Sequence, residues 1–348
     1  MKLPKIKKAK PTERYQISSS PLAQKMTQKK LACLVGMKRD ELRSLAKYKE
    51  NYIIRREIEK NGKIRKLVYP NGKLRRFHEI ISFHLKKIIQ PIYLYSPRKG
   101  YSQRHNASLH VGQRQFLKVD IKQFYPSTTA VQISAWATAH LKMPQDVARL
   151  FADLVTGDGS AFFGSPLTPV LATLVHRKMF DEVYNRCKKR GLRCSLWVDD
   201  LTISGKFVPG LLLEEIRSII ALNGLKSHKL EYLTGNRSVV VTGLRVFNVG
   251  IEPPLKHLKQ IGVLFSSLAA AENLRNTEIL TAKLLSVAGS AKYIVGSSSP
   301  NWHKLSNQMN SVKQKLAKKI RVHNEMRAKL NSKTHSLNLS TSSEPVPW

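Results

Sequence analysis

Asp120, Asp199 and Asp200 are the side chains best suited to chemistry in this chain. Asp120 closes the apolar run Phe116-Leu117-Lys118-Val119-Asp120-Ile121, and Asp199-Asp200 lie between Trp197-Val198 and Leu201-Thr202-Ile203. A single Asp in a turn is ordinary turn chemistry. Two adjacent carboxylates between apolar runs repel each other, and a cation relieves that repulsion. Oxygen-only ligands suit Mg²⁺, which is held by carboxylates and substrate phosphates and keeps several waters. Phosphoryl transfer uses such a site: two ions on shared carboxylates lower the pKa of an attacking hydroxyl and stabilise the leaving oxygen. Spacing by itself leaves open the plainer alternative of two unrelated turns and a strand-end Asp.

Charge tips the balance toward a polyphosphate partner. The 348 residues carry 60 Lys+Arg against 23 Asp+Glu, a formal net charge of +37. Such an excess repels itself in a compact state unless a polyanion neutralises it. Nucleic acid is the expected partner, because Lys and Arg on phosphates release counterions; a merely basic surface or an anionic membrane face are the competitors. Hydrophobic residues at 42% argue against wholesale disorder. No run approaches the roughly 20 apolar residues of a membrane span. The lysines near the start (Lys2, Lys5, Lys7, Lys8, Lys10) precede no apolar segment, so no secretory signal is read there. The cysteines Cys33, Cys187 and Cys194 suit neither a disulfide framework nor a zinc site. A reducing prokaryotic cytoplasm is the expected compartment.

The elements that must position the carboxylates are legible in outline. Residues 1–30 are basic and poor in large apolar groups, and read as a flexible arm. Helical spacing runs from Leu31 to about Ala46, and 52–69 reads as a β-ribbon turning at Asn61-Gly62. A basic helix follows over Leu74–Ile89. Phe116–Ile121 is a strand, followed by a helix to about Leu141. Thr168-Pro169 starts a helix that Gly191 ends. Residues 192–204 read as a hairpin around Asp199-Asp200, Pro209–Asn223 as an amphipathic helix, and Ser238–Phe247 as a strand. Beyond Pro253-Pro254 helices are expected over 255–272, 277–288 and 302–330, with a disordered Ser/Thr/Asn-rich tail at 328–348.

With that order in view, three segments resemble reverse transcriptase motifs. Val119-Asp120-Ile121-Lys122-Gln123-Phe124-Tyr125-Pro126-Ser127 is similar to the first catalytic motif. Phe163-Gly164-Ser165-Pro166-Leu167-Thr168-Pro169 resembles the Gln-Gly-x-x-x-Ser-Pro motif, and Trp197-Val198-Asp199-Asp200-Leu201 the Tyr-x-Asp-Asp motif. Asn106-Ala107-Ser108-Leu109-His110 and Val241-Thr242-Gly243 resemble the Asn-Ala-x-x-His and Val-Thr-Gly motifs of retron reverse transcriptases. The opening Leu31-Ala32-Cys33-Leu34-Val35-Gly36 resembles their N-terminal helix.

The resemblance implies an α+β right-hand polymerase: fingers and palm over 31–250, built of an antiparallel sheet plus helices, and a helical RNA-binding thumb over 251–327. It implies Asp120, Asp199, Asp200 and the Ile121 carbonyl as ligands of a two-metal Mg²⁺ site. Tyr125 takes the place of the aromatic gate against a 2′-hydroxyl, Arg65 that of the fingers Arg on the triphosphate, and Phe163 and Gly164 complete the nucleotide site. Asn106, His110, Thr242 and Gly243 are implied in RNA recognition. The implied reaction is DNA synthesis from dNTPs on a cognate structured non-coding RNA. That RNA would serve as template and as 2′-hydroxyl primer, giving branched RNA-linked single-stranded DNA in antiphage defence beside an effector or toxin protein, with no membrane. A reverse transcriptase of another prokaryotic class, or a non-catalytic RNA-binding protein on a polymerase fold, are the alternatives. Phe163 in place of Gln and Trp197 in place of Tyr favour the last; Val198 also replaces the commoner Ala, and His228 and Glu231 the Asn and Lys of a later motif, while the three carboxylates are intact and activity is expected.

Overall fold

The computed structural model describes residues 13–23, 25–60, 62–234, 238–296 and 300–340. Within these, the side chains of 60, 63, 65, 300, 301, 327 and 330–340 fall outside the description. The chain forms two compact units, 1–237 and 238–348.

The first unit opens with helices α1 (Gln28–Leu34) and α2 (Arg39–Lys47), the ribbon strands β1 (Ile53–Lys60) and β2 (Lys63–Pro70), and α3 (Gly72–Lys86). Then come β3 (Leu94–Ser96), α4 (Gln103–Leu109), β4 (Gln115–Ile121), α5 (Ala130–His140), α6 (Gln145–Leu154), β5 (Thr156–Gly157) and β6 (Ser160–Ala161). It ends with α7 (Thr168–Val175), α8 (Arg177–Lys189), β7 (Arg193–Trp197), β8 (Asp200–Gly205), α9 (Leu211–Leu222) and β9 (Ser227–Thr234). The main sheet runs β3-β7-β8-β4-β9; β3 pairs parallel with β7 and every other pairing is antiparallel. This is the mixed α/β class expected, with one parallel edge strand that the sequence reading lacked.

Alternation builds this sheet. Leu117 and Val119 of β4, Leu196 of β7 and Leu201 and Ile203 of β8 bury their side chains against Phe180 and Val183 of α8 and Leu212, Ile216 and Ile220 of α9. Each such burial stabilises by roughly 1.5–3 kcal/mol, so the strand ends that carry Asp120 and Asp200 are held by a stiff layer. A second core joins Leu74, Phe77 and Ile81 of α3 to Trp136 of α5, Phe151 of α6 and Phe162.

Three expectations are corrected. The arm is anchored where it is described: Leu22 and Met26 are buried in the second core, and Tyr15 bonds main chain to main chain with Lys87 and Ile89. Few apolar residues suffice when each finds a core slot; residues 1–12 lie outside the described part. The helix expected from Thr168 to Gly191 is two helices that break at His176. The strand expected over 238–247 is a hairpin, β10 (Val239–Val241) and β11 (Leu244–Val246), turned by Thr242 at φ 46° and Gly243 at φ 84°.

The second unit adds β12 (Ile251–Glu252), α10 (Leu255–Ala269), α11 (Leu274–Val295) and α12 (Pro300–Ser340), with Ile261, Leu264, Leu284 and Trp302 among its buried residues. The small sheet of 239–252 therefore belongs with the helices, and the division falls before Ser238 rather than after residue 250. Helix α12 also continues through 328–340, where the sequence suggested disorder; no Gly or Pro interrupts that stretch. Residues 341–348 lie outside the described part. Among the described residues no helix is long and apolar enough to cross a membrane.

Candidate active site

Pairing of β4 with β8 puts Asp120 directly opposite Asp200. Side chains of directly opposed residues in an antiparallel pair leave the same face, so both carboxylates share one face of the sheet. Asp199 sits in the tight link between β7 and β8. Its carbonyl accepts from the Ile121 N–H at 3.1 Å, and Val198 N–H donates to the Ser96 carbonyl at 3.0 Å. Val198 has φ 62°, a left-handed conformation costly for a β-branched residue. Strain of this kind persists where surrounding structure over-determines the backbone; here β3, β4, β7 and β8 all bear on one turn.

The electrostatics record the crowding. Burial, then the charge of Asp120, pushes Asp199 up to about 6. Asp200 is raised chiefly by burial, with Asp120 and Glu231 adding to it against the pull of Lys118 and Lys229. Two cations attend the site. Lys229 Nζ lies 3.7 Å from Asp120 Oδ2, and Lys118 Nζ lies 3.2 Å from Glu231. Lys229 reaches Asp120 through a bulge: Lys118 pairs with Glu231 and Asp120 with His228, so Lys229 and Leu230 together face Val119, with Lys229 at φ 47°. A bulge re-aims a side chain, and nothing in the local sequence announces this one. Glu231, which stands where the family pattern has Lys, is thus paired with a lysine of the neighbouring strand.

Tyr125, Phe163 and Gly164, the residues expected on the nucleotide side, lie in one region of the first unit. The Tyr125 ring lies 6.1 Å from the Phe163 ring, and its hydroxyl pKa is raised by burial and by Asp199. Gly164 has φ 128°, and a Cβ there would stand 3.2 Å from the Tyr69 Cβ of β2. Val68 N–H of the same strand donates to the Phe163 carbonyl at 3.2 Å, so the ribbon rests on the 163–164 turn. Arg65 lies on this ribbon opposite Ile58; its side chain is outside the described part.

The supports are residues that sequence reasoning passed over. His78 of α3 is fully buried; its Nε2–H donates to the Leu154 carbonyl (2.8 Å), so Nδ1 accepts from the Ser165 hydroxyl (2.7 Å). Ser82 donates to the Pro166 carbonyl at 3.0 Å. Thr128 donates to the Phe124 carbonyl at 2.9 Å and receives His176 Nε2–H at 3.2 Å, which steadies the segment bearing Tyr125. A histidine on an apolar helix face was the one signal available for His78, and it reads equally well as plain core.

Two of the residues expected to recognise RNA do not face solvent. His110 is 0% exposed, held between Ser195 Oγ of β7 (2.8 Å) and Ser204 Oγ of β8 (2.6 Å), and Asn106 is 1% exposed. As direct RNA contacts they are corrected: His110 ties together the two strands of the carboxylate hairpin. Thr242 and Gly243, at a hairpin tip in the second unit, keep an accessible position.

Among the described residues, no group of three or more His, Cys, Asp or Glu side chains could hold a metal ion unaided. That is compatible with Mg²⁺, which binds one or two carboxylates together with substrate phosphates rather than an all-protein cage. The hard oxygens of Asp120 and Asp200 on one sheet face, with Asp199 destabilised as an anion beside them, fit such an ion.

No protein-family profile matches the chain. Curated relatives do. It is 28% identical over 180 residues to the retron Se72 reverse transcriptase of Salmonella heidelberg (strain 579083-10), covering 50% of this chain and 47% of that protein. It is 28% identical over 151 residues to the retron Ec86 enzyme of Escherichia coli, covering 42% and 47%, and 23% identical over 287 residues to retron Ec48 reverse transcriptase of the same species, covering 76% and 70%. The chain thus spans about half the length of the first of these relatives. Among solved structures, apo telomerase of Candida tropicalis aligns with TM-score 0.39 and 11% identity over 62% of this chain and 60% of that one. Telomerase of Candida albicans with a fragment of telomeric RNA aligns with the same score over 74% and 60%. Its motifs stand in order and the curated relatives it matches are all named retron reverse transcriptases, so the chain is similar to that family over part of their length.

Proposed function

We propose that this protein is an RNA-directed DNA polymerase that copies a cognate non-coding RNA from the 2′-hydroxyl of a guanosine within it, producing branched RNA-linked single-stranded DNA from dNTPs. The observation that carries this is the register Asp120 opposite Asp200, with Asp199 at the adjoining turn. Asp120, Asp199 and Asp200, with the Ile121 carbonyl, would hold Mg²⁺. The ions would supply charge stabilisation for the attacking and leaving oxygens. The chain's own contributions are positional. Tyr125 and Phe163 wall the sugar and base, Gly164 lets Tyr69 of the ribbon close on the turn, Arg65 clamps the triphosphate, and the tip at Thr242-Gly243 meets the RNA. The helices of the second unit, rich in Lys, grip duplex RNA by shape and phosphate. Its setting is the prokaryotic cytoplasm, in antiphage defence with an effector or toxin protein and away from membranes.

The test compares parent and Asp199→Asn, purified with their RNA. DNA covalently branched from RNA is expected from the parent and a loss of at least ~10³-fold from the variant, with RNA retained by both. A parent that holds RNA yet makes no DNA even with added Mg²⁺ would establish the rival reading, an RNA-binding protein on a polymerase fold, to which Phe163 and Trp197 lend support.

A further inference from the structure

Apart from the carboxylates, the first unit carries a cleft of about 790 Å³ bordered by the C-terminal end of α3 and the segment 97–99. Its wall is cationic: Arg14, Lys86, Lys87, Arg98 and Lys99 line it, and none of the described residues lining it is acidic. A like-charged wall without counter-charges is costly when empty and favourable around phosphates. Two further features separate it from a plain basic surface.

The first is an aromatic platform. Phe83 lies in the wall at 53% exposure, with Lys87 Nζ 4.3 Å from the ring centroid. An apolar ring held at that exposure is a stacking surface, and stacking accepts any base because every base has a π-face. The second is a pair of polar atoms left unsatisfied. Gln90, also in the wall, is only 8% exposed; its Nε2 donates to the Ile88 carbonyl at 2.9 Å, while Oε1 is buried with no hydrogen-bond partner. Arg98 spends Nη1 on the Pro91 and Leu94 carbonyls (3.2 and 3.4 Å), and its buried Nε–H has none. Buried polar atoms are normally paired. The orphaned acceptor and donor lie behind the cleft wall, closed to solvent in the free protein, and suit the mixed donor–acceptor edge of a base once the two side chains turn toward it.

The start of the chain completes the cleft. Tyr15 N–H donates to the Lys87 carbonyl (3.1 Å), Ile89 N–H to the Tyr15 carbonyl (2.9 Å), and the Tyr15 hydroxyl to the His84 carbonyl (2.7 Å). This lacing fixes Arg14 at the rim and explains why a segment so polar is anchored.

We propose that this cleft holds an unpaired nucleotide of a single-stranded RNA segment, its base on Phe83 with its edge at Gln90 and Arg98, its phosphates on the surrounding lysines. The RNA partner rests on the function proposed above; the site itself does not involve the carboxylates.

The test uses the full chain, without dNTPs, and a 12-nucleotide single-stranded RNA carrying 4-thiouridine. Crosslinking is expected to map to the peptide containing Phe83. Phe83→Ala and Lys99→Glu are each expected to weaken oligonucleotide binding about tenfold or more, with an unchanged melting temperature and unchanged extension of a pre-annealed primer–template. Gln90→Leu should weaken it while Phe83→Tyr restores the parent value. Unaltered affinity in Phe83→Ala, or equal loss on blunt duplex RNA, would overturn the stacked-nucleotide assignment. Competition by polyglutamate as strong as by RNA would assign the cleft to an acidic protein instead. Since binding is read without synthesis, an inactive parent would remove the polymerase reading and leave this result standing, and the converse also holds.

Discussion

Single residues at this site are held by their surroundings more than by their own preferences. Val198 and Thr242 are both β-branched and both left-handed, at φ 62° and 46°. Val198 is locked under four strands at the carboxylate turn, whereas Thr242 occupies a two-residue hairpin turn of the kind that favours Asn-Gly. Thr242→Asn is therefore expected to stabilise the second unit by up to ~1 kcal/mol, since Asn tolerates this conformation. Guanidinium chloride unfolding checks it. If Thr242 contacts RNA, the same variant should use the cognate RNA less well while extending a generic primer–template normally; equal performance on both removes that contact.

At the scale of elements, the turn at 163–167 is shaped from two sides: His78 and Ser82 of α3 from below, and Val68 and Tyr69 of β2 from above. Gly164→Ala places a methyl 3.2 Å from Tyr69 Cβ at a φ of 128°, so either the ribbon or the turn must shift. The expected result is a tenfold or greater rise in KM for dNTP with a smaller change in RNA affinity. Ser165→Ala strips His78 Nδ1 of its donor. An unsatisfied buried group costs about 1–3 kcal/mol, and a denaturation midpoint lowered to match is expected. An undisturbed midpoint would show that water replaces the hydroxyl.

For the whole molecule, buried histidines and excess positive charge govern the response to solution conditions. Burial lowers His78 and His176 to about 4 and His110 to about 3, the last aided by Arg193. A histidine whose folded pKa is depressed stays neutral in the native state while the unfolded chain takes up a proton. Stability is therefore fully present above about pH 6.5 and declines as pH falls toward 4. Asp199, raised to about 6, and Asp200, raised by burial, work in the opposite sense as pH falls, but these two carboxylates stand against three histidines. Urea midpoints at pH 7 and 4.5 should show a net loss on the order of a few kcal/mol; a midpoint higher at pH 4.5 would contradict the burial of these rings. The net charge of +37 predicts RNA affinity falling by ~10³ or more between 50 and 200 mM salt. A flat response would remove the electrostatic account of RNA binding.

What the sequence by itself determined was local and periodic. The β-ribbon of 53–70, the strand ending in Asp120, the hairpin around Asp199-Asp200 and the helix over 211–222 follow from alternation, helical spacing and turn residues, which depend on neighbours within a few positions. The motif residues were legible for the same reason: their types and order are written along the chain. Tertiary structure alone decided which strands became neighbours. It set Asp120 against Asp200 rather than one residue away, and it bulged β9 so that Lys229 meets Asp120. It buried His110 where surface recognition was expected, and drew Tyr15, Leu22 and Met26 of a seemingly free arm onto the first unit. Register, burial and orphaned polar atoms arise from contacts between residues tens of positions apart, and no window along the chain contains both partners.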